Sequence, residues 1–236
     1  TYIEPLTVNY LKKIIEIEQP DAVLPTLGGQ TALNLSMELE NDNVFDKNEI
    51  LLLGASAKSI EIAENRWLFK SAMESAGIKT LQAEYVKSIE EGVAASEDIG
   101  FPLMLRPSFI LGGGGTSLVE SKEDLEKKLK DAFKASPTQE VLIEESVYGW
   151  KEYELEVMRD SDGNGVIVCG IENFDPMGVH TGDSITVAPI QTLSDKEYQI
   201  MRDEALLCLD TIGIATGGSN VQFAVSPDEN EDIVAI

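Results

Sequence analysis

The chain is poor in basic residues, in cysteine and in histidine. Against 42 aspartates and glutamates stand only 18 lysines and arginines, giving a formal net charge of −24 at pH 7. Such a surface repels the phosphate backbone of nucleic acids and anionic headgroups, so no nucleic-acid or membrane partner is expected. It repels free nucleotide too, so any nucleotide site must supply its own arginines, backbone N–H groups and metal ion. Two cysteines, Cys169 and Cys208, are too few and too apolar in context for a disulfide framework or a metal knuckle. They read as buried thiols in a reducing cytoplasm. The single histidine, His180, has no cysteine paired with it, which argues against zinc. No Ser-His-Asp or Cys-His nucleophile pattern is present. No apolar run approaches the roughly 20 residues that span a bilayer, and Thr1–Pro5 carries no signal pattern.

What is present is ordinary for a globular protein: 43% apolar and 25% charged residues over 236 positions, enough for one large domain or two to three small ones. The first 65 residues alternate helix and strand. Leu11, Ile14 and Ile15 mark a helix ending before Pro20, Asp21–Pro25 a short strand, and a further helix runs to about Glu40 before the apolar strand Ile50–Leu53. Apolar strands separated by helices predict a parallel sheet. From Arg66 the texture changes. A helix over 65–76 leads to strands near Glu84–Val86 and Leu103–Arg106, a glycine run, and a strand at Ser117–Glu120. Ser121 and Asp124 read as a capping box opening a helix to Ala135. Strands follow at 141–143, 151–158 and 165–173, then a helix capped by Ser194 and Glu197 and stopped by Gly213, then strands at 219–225 and 232–236. The chain ends inside an apolar strand with no turn or polar tail, which reads as a cut.

Several segments carry chemistry. Arg106 closes an apolar strand, where its fork suits a phosphate. Beyond it Gly112-Gly113-Gly114-Gly115 can bring backbone N–H groups close to oxyanions. This is neither a Walker loop nor a dinucleotide fingerprint, so it is either a hairpin closing over phosphates or a loose surface hairpin. Arg66 is a ligand contact or an exposed helix residue paired with Glu64 or Asp160. Glu144–Val147 is an acidic turn, or a segment offering main-chain groups to a base edge, with Glu152 accepting from ribose. His180 sits in a glycine-flanked loop, Met177–Ser184. Asn220 and Gln222 share one strand face. An amide oxygen there suits Mg²⁺, and carboxylates are expected beside it, yet none lies near it on that strand.

Taken together, Pro25–Asn34, Arg106–Phe109, Gly149–Glu154, Ile171–Asp175, His180–Pro189 and Gly217–Phe223 resemble, in order and spacing, successive signatures of the carbamoyl-phosphate synthase large subunits of the ATP-grasp superfamily. The His180–Pro189 run resembles the N-terminal, carboxyphosphate-forming synthetase half. The resemblance covers essentially the whole chain. One departure lies in the loop, where Gly114-Gly115-Thr116-Ser117 stands in place of the family's usual Gly-Gly-Ser-Gly-Gly register.

The resemblance implies α/β and α+β architecture. A truncated Rossmann-like pre-ATP-grasp domain (1–65) would precede a two-lobed ATP-grasp domain, with its first lobe at 66–147 and its second, incomplete, at 148–236. It also implies that Arg66 and Arg106 contact phosphates, with Arg106 catalytic, and that Gly112 and Gly113 lie in the closing loop. Glu145 and Val147 would present backbone to adenine and Glu152 would bind ribose. Gly178, Val179 and His180 would line the nucleotide, and Gln222 would bind Mg²⁺ or Mn²⁺. The implied reaction is ATP-dependent phosphorylation of bicarbonate followed by amination with ammonia to carbamate. It would run in the cytoplasm, on the way to pyrimidines and arginine, with a glutaminase small subunit as partner. A Glu-Met-Asn-Pro-Arg segment is expected directly after Ile236 to complete the metal and bicarbonate end, and a first βαβ unit before Thr1. The segment alone is therefore expected to do little chemistry. Two other readings stay open: a nucleotide-binding module without turnover, and another ATP-grasp carboxylate–amine ligase.

Overall fold

The structure is a computed structural model; it describes residues 1–108, 116–179, 183–214, 217–227 and 232–236, with the side chain of Arg66 outside that description. The chain divides into two compact units. One comprises Thr1–Ile78, Tyr153–Glu172 and Thr186–Gln222, the other Lys79–Glu152, Asn173–Ile185 and Phe223–Ile236.

The first unit opens with α1 (Val8–Glu18), β1 (Ala22–Val23), a single 3-10 turn at Thr26–Gly28, α2 (Gly29–Asn41), α3 (Val44–Lys47) and β2 (Leu51–Leu52). β1 and β2 pair in parallel, Ala22 opposite Leu51, as alternating helix and strand requires. Ile15, Leu39, Val44, Phe45 and Ile50 form the core beneath them. Next come α4 (Ala57–Glu64) and α5 (Arg66–Ala76), hinged at Asn65. The Asn65 side chain accepts from the N–H groups of Trp67 and Leu68 at 3.0 and 3.1 Å, a regular N-cap. α5 packs against α8 (Asp195–Ile212). α8 begins with a full capping box between Ser194 and Glu197 and ends at left-handed Gly213. It buries Met201, Ala205, Cys208, Leu209 and Ile212, one helical stripe. The unit's sheet takes the order β10-β7-β8-β9, where β7 is Lys151–Arg159, β8 Gly165–Asn173, β9 Thr186–Val187 and β10 Gly217–Val225.

The second unit is built on an antiparallel sheet of order β3-β6-β4-β5, with β3 at Ala83–Val86, β4 at Leu103–Pro107, β5 at Ser117–Val119 and β6 at Val141–Glu145. Leu103 and Leu105 on β4, Val119 on β5, and Val141 and Ile143 on β6 meet Leu125, Leu129, Ala132 and Phe133 of α7 (Lys122–Ala135) in one core. α6 (Ile89–Ile99) packs on α7, a helix that the periodicity did not reveal. Gly92 makes that approach possible: a Cβ there would sit 2.7 Å from Leu129 Cδ1. The end of β10 pairs with β11 (Ile233–Ala235), Phe223 opposite Ala235.

One local expectation is corrected. Ser121 is the N-cap of α7, but its hydroxyl accepts no bond from an amide of the first turn. The third helical residue is Asp124, one methylene shorter than the Glu or Gln of a capping box. The Glu123 carboxylate is held below its ordinary range instead, by its own backbone N–H and then by the Ser121 hydroxyl.

Candidate functional site

In the second unit, β4 alternates between Leu103, Leu105 and Pro107, buried toward the helices, and Met104 and Arg106 on the other face. Arg106 lies opposite Leu142 and Met104 opposite Glu144, so Arg106 and Glu144 are diagonal neighbours on that face. Arg106 Nε donates to Glu144 Oε2 at 2.9 Å, with the arginine side chain 37% exposed and the glutamate 13%. The bond uses Nε alone. The two Nη groups are not needed for it, so the fork can still meet an anion.

Glu145 is not in a turn, as one of the open readings had it; it is the last residue of β6. Its N–H donates to Gln82 O at 2.8 Å, and its carboxylate accepts from Gln82 N–H at 3.4 Å. The chain leaves the ladder at Ser146, whose hydroxyl accepts from Tyr148 N–H. Trp150 N–H then donates to Val147 O at 2.9 Å, closing a turn with Gly149 at φ +85°. This turn is stitched to a second segment. Gly149 N–H donates to Met177 O at 2.9 Å and Met177 N–H to Trp150 O at 2.8 Å. Val147 and Trp150 pack on a cluster of Leu81, Met177, Ala224 and Val234.

The second segment is tied at its base. Phe174 N–H donates to Ile185 O at 2.8 Å, and Ile185 N–H donates to Asp175 Oδ2 at 2.9 Å. Within it Gly178 has φ +111°, and a Cβ there would meet the Tyr148 ring at 2.5 Å. Val179 follows, 40% exposed. The structure thus brings Val147, Gly178 and Val179 together around one stitched turn. Glu152, two residues beyond Trp150, is 3% exposed. Gly112, Gly113 and His180 lie outside the described residues.

In the first unit, Arg66 opens α5 and Gln222 lies half-buried on β10. Asn220 meets two carboxylates of the neighbouring strand, which are not the metal partners expected after Ile236. Asn220 Nδ2 donates to Glu154 Oε2 at 2.7 Å and to Glu156 Oε1 at 2.9 Å. Their signal was available in part: Glu154 and Glu156 alternate along β7 with Tyr153, Leu155 and Val157, which are buried. Glu172 on β8 lies in one of the segments that carry the resemblance but was given no role of its own. It is 6% exposed and accepts from Gln191 N–H at 2.8 Å, Thr192 N–H at 3.0 Å and the Thr192 hydroxyl at 2.5 Å. The Tyr153 hydroxyl meets Thr192 Oγ1 at 2.8 Å, and burial pushes that phenol above its usual range.

Among the described residues no group of three or more His, Cys, Asp or Glu is arranged to hold a metal. Two amides beside two carboxylates do fit a hard cation held mainly through a ligand's phosphates, as Mg²⁺ commonly is. No helix among the described residues is long and apolar enough to cross a membrane.

Comparisons with known proteins identify the family. Residues 65–236 match the family described as "Carbamoyl-phosphate synthase L chain, ATP binding domain", and residues 1–62 match "Carbamoyl phosphate synthase preATP-grasp domain". The chain is 55% identical over 231 residues to the carbamoyl phosphate synthase large chain, N-terminal section, of Aquifex aeolicus, covering 98% of this chain and 42% of that protein. It is 54% identical over 233 residues to the carbamoyl phosphate synthase large chain of Thermotoga maritima, covering 99% of this chain and 21% of that one. The chain therefore spans between a fifth and about two-fifths of these relatives. Among solved structures, the biotin carboxylase–β-γ-ATP complex from Campylobacter jejuni superposes with a TM-score of 0.77 at 23% identity, covering 98% of this chain and 51% of that one. The biotin carboxylase domain of the Hydrogenobacter thermophilus 2-oxoglutarate carboxylase, in complex with MgADP and bicarbonate, gives 0.77 at 18% identity, covering 100% and 52%. These two likenesses establish the fold.

Proposed function

This chain belongs to the carbamoyl-phosphate synthase L chain family, and we propose on that basis that it forms the nucleotide-binding part of an ATP-dependent ligase. The reaction is transfer of the γ-phosphoryl group of ATP to bicarbonate. A bicarbonate oxygen attacks phosphorus, ADP leaves, and ammonia then displaces phosphate from the carboxyphosphate carbon to give carbamate. The observation that carries this reading is the stitched turn, which gathers Val147, Gly178 and Val179 within a segment that matches an ATP-binding domain.

In this reading Arg106, steadied through Nε by Glu144, applies its Nη donors to phosphate oxygens, and Arg66 does the same from the start of α5. Glu145 and Val147 flank the adenine edge, Glu152 accepts from ribose hydroxyls, and Gly178, Val179 and His180 line the nucleotide. Gly112 and Gly113 close over the phosphates. Gln222 offers an amide oxygen to Mg²⁺, with Mn²⁺ as a substitute. When bound, the metal neutralises phosphate charge. The protein's own share is positioning and charge complementarity, with no covalent intermediate on the chain. Domain limits of 1–65, 66–147 and 148–236, a cytoplasmic setting, ammonia delivered by a glutaminase subunit, and a role toward pyrimidines and arginine belong to the same proposal.

The test is bicarbonate-dependent release of phosphate from ATP by the full-length protein, beside calorimetric titration of this chain with MgATP. Binding with bicarbonate-dependent release is expected from the full-length protein. Binding with no such release would leave a nucleotide-binding module, and absence of both would sink the nucleotide reading.

A further inference from the structure

Asn220 raises a question of orientation. An asparagine amide is nearly symmetric in shape, and its two ends differ only in chemistry: two donor hydrogens on nitrogen, two acceptor lone pairs on oxygen. Which end faces a ligand is set by the neighbours. Here both nitrogen contacts go to carboxylate oxygens, at 2.7 Å to Glu154 and 2.9 Å to Glu156. An ionised carboxylate only accepts, so a flipped amide would bring its oxygen against two anions. Glu154 is 6% exposed while Asn220 lies at the surface, so the clamp grips from below and leaves the amide reachable.

The two glutamates stand two positions apart on β7 and share that neutral amide. Both carboxylates face the same amide nitrogen, so a flip would set the amide oxygen against two like charges. What this arrangement secures is direction. With both hydrogens committed, Asn220 can offer a ligand an acceptor and not a donor. Gln222 sits two residues further along the same face of β10. We propose that Glu154 and Glu156 are positioning residues that lock Asn220 as a fixed acceptor beside Gln222, making this face selective for the metal-bound form of the nucleotide over the bare anion. The inference rests on the nucleotide reading given above for its ligand, but not for its geometry.

Two measurements on the full-length protein separate these dependences. The first reads the clamp alone, from the side-chain amide signals of Asn220 in a ¹⁵N spectrum. Both Nδ2 hydrogens should exchange slowly with solvent in the wild type. In Glu156→Gln they should become solvent-like, because a glutamine can donate and releases the amide to flip. Fast exchange in the wild type would overturn the proposal whatever the chain binds. The second uses Mn²⁺, followed by electron paramagnetic resonance, with and without a non-hydrolysable ATP analogue. Glu156→Gln should weaken Mn²⁺ binding in the presence of the analogue by about five- to tenfold, and change the affinity for metal-free analogue less than twofold. Glu156→Asp, which restores an acceptor, should recover most of the loss. Equal loss for metal-bound and metal-free analogue would reduce the glutamates to a structural role and overturn the selectivity. A full-length wild type that binds neither analogue nor Mn²⁺ would overturn both the selectivity and the nucleotide reading, with the amide spectrum still deciding the clamp.

Discussion

Gly178 lies against the ring of Tyr148 so closely that a Cβ at 178 would sit 2.5 Å from the ring's Cδ2, and its φ of +111° is one that side-chain-bearing residues rarely adopt. Two separate effects therefore oppose any larger residue there, and they can be told apart. Gly178→Ala should lower stability by about 1–3 kcal/mol and weaken nucleotide binding at least tenfold. If the ring is the obstacle, adding Tyr148→Ala should restore binding, because Tyr148 is well exposed and its removal leaves a gap. If the backbone angle dominates, the double variant should stay as weak as the single one. Thermal melts and calorimetry read both.

For Arg106, removal of the fork should cut bicarbonate-dependent ATP turnover by the full-length protein at least tenfold. Arg106→Lys should recover little of it, since an ammonium cannot both hold Glu144 and grip a phosphate with parallel donors. Turnover within twofold of wild type in Arg106→Ala would rule out the phosphate role.

Packing between α6 and α7 gives a cleaner test of the fold. Gly92→Ala places a methyl 2.7 Å from Leu129 Cδ1 and should cost about 1–3 kcal/mol. Leu129→Ala, at a site with no exposed surface, should cost about 2–5 kcal/mol. Together they should cost clearly less than their sum, because the truncated leucine makes room for the new methyl. Urea denaturation of the four proteins measures the coupling.

Glu172 ties three donors from Gln191 and Thr192. Glu172→Ala leaves two backbone N–H groups to find other partners, at about 1–3 kcal/mol each where they stay buried. A fall of about 2–4 kcal/mol is expected, with the amides of Gln191 and Thr192 losing hydrogen-exchange protection ahead of the core.

Burial pushes the Cys208 thiol up to about 11 from its ordinary 9.0. The folded state thus holds that proton more tightly than the unfolded chain does. Its contribution is fully present below about pH 9 and is lost as the pH climbs toward 11, at roughly 1.4 kcal/mol per unit. Cys208→Ala should show a flatter decline of stability over that window. Iodoacetamide at pH 8 should label the half-buried Cys169 and spare Cys208 until the protein is unfolded.

Much of this was written in the sequence where the signal is local. The α8 capping box was legible because Ser194 and Glu197 are three residues apart, and its stop because Gly213 alone accepts the left-handed turn. Strands β4, β6 and β7 announced themselves by apolar runs and alternation. α6 was not read from the sequence, and its Gly92 is the contact point with Leu129. The stitched turn needs residues nearly thirty positions apart, Gly149 and Met177, to exchange backbone hydrogen bonds, and no pattern within either segment encodes that. Glu154 and Glu156 were visible as residues, but their meeting with Asn220 depends on which strands are neighbours. Pairing order is a property of the whole sheet and not of a strand.

The bonds that join Gly149 and Trp150 to Met177 also bear on how binding is divided between folding and recognition. A turn held by its own ladder, with Leu81, Ala224 and Val234 beneath it, gives up its backbone freedom when the chain folds. A nucleotide bound at Val147 and Gly178, as proposed above, would meet a surface already shaped and spend little of its interaction energy on ordering it. Affinity at this spot should therefore respond weakly to temperature-driven loosening of nearby loops. It should respond sharply to any substitution that unfastens the turn itself.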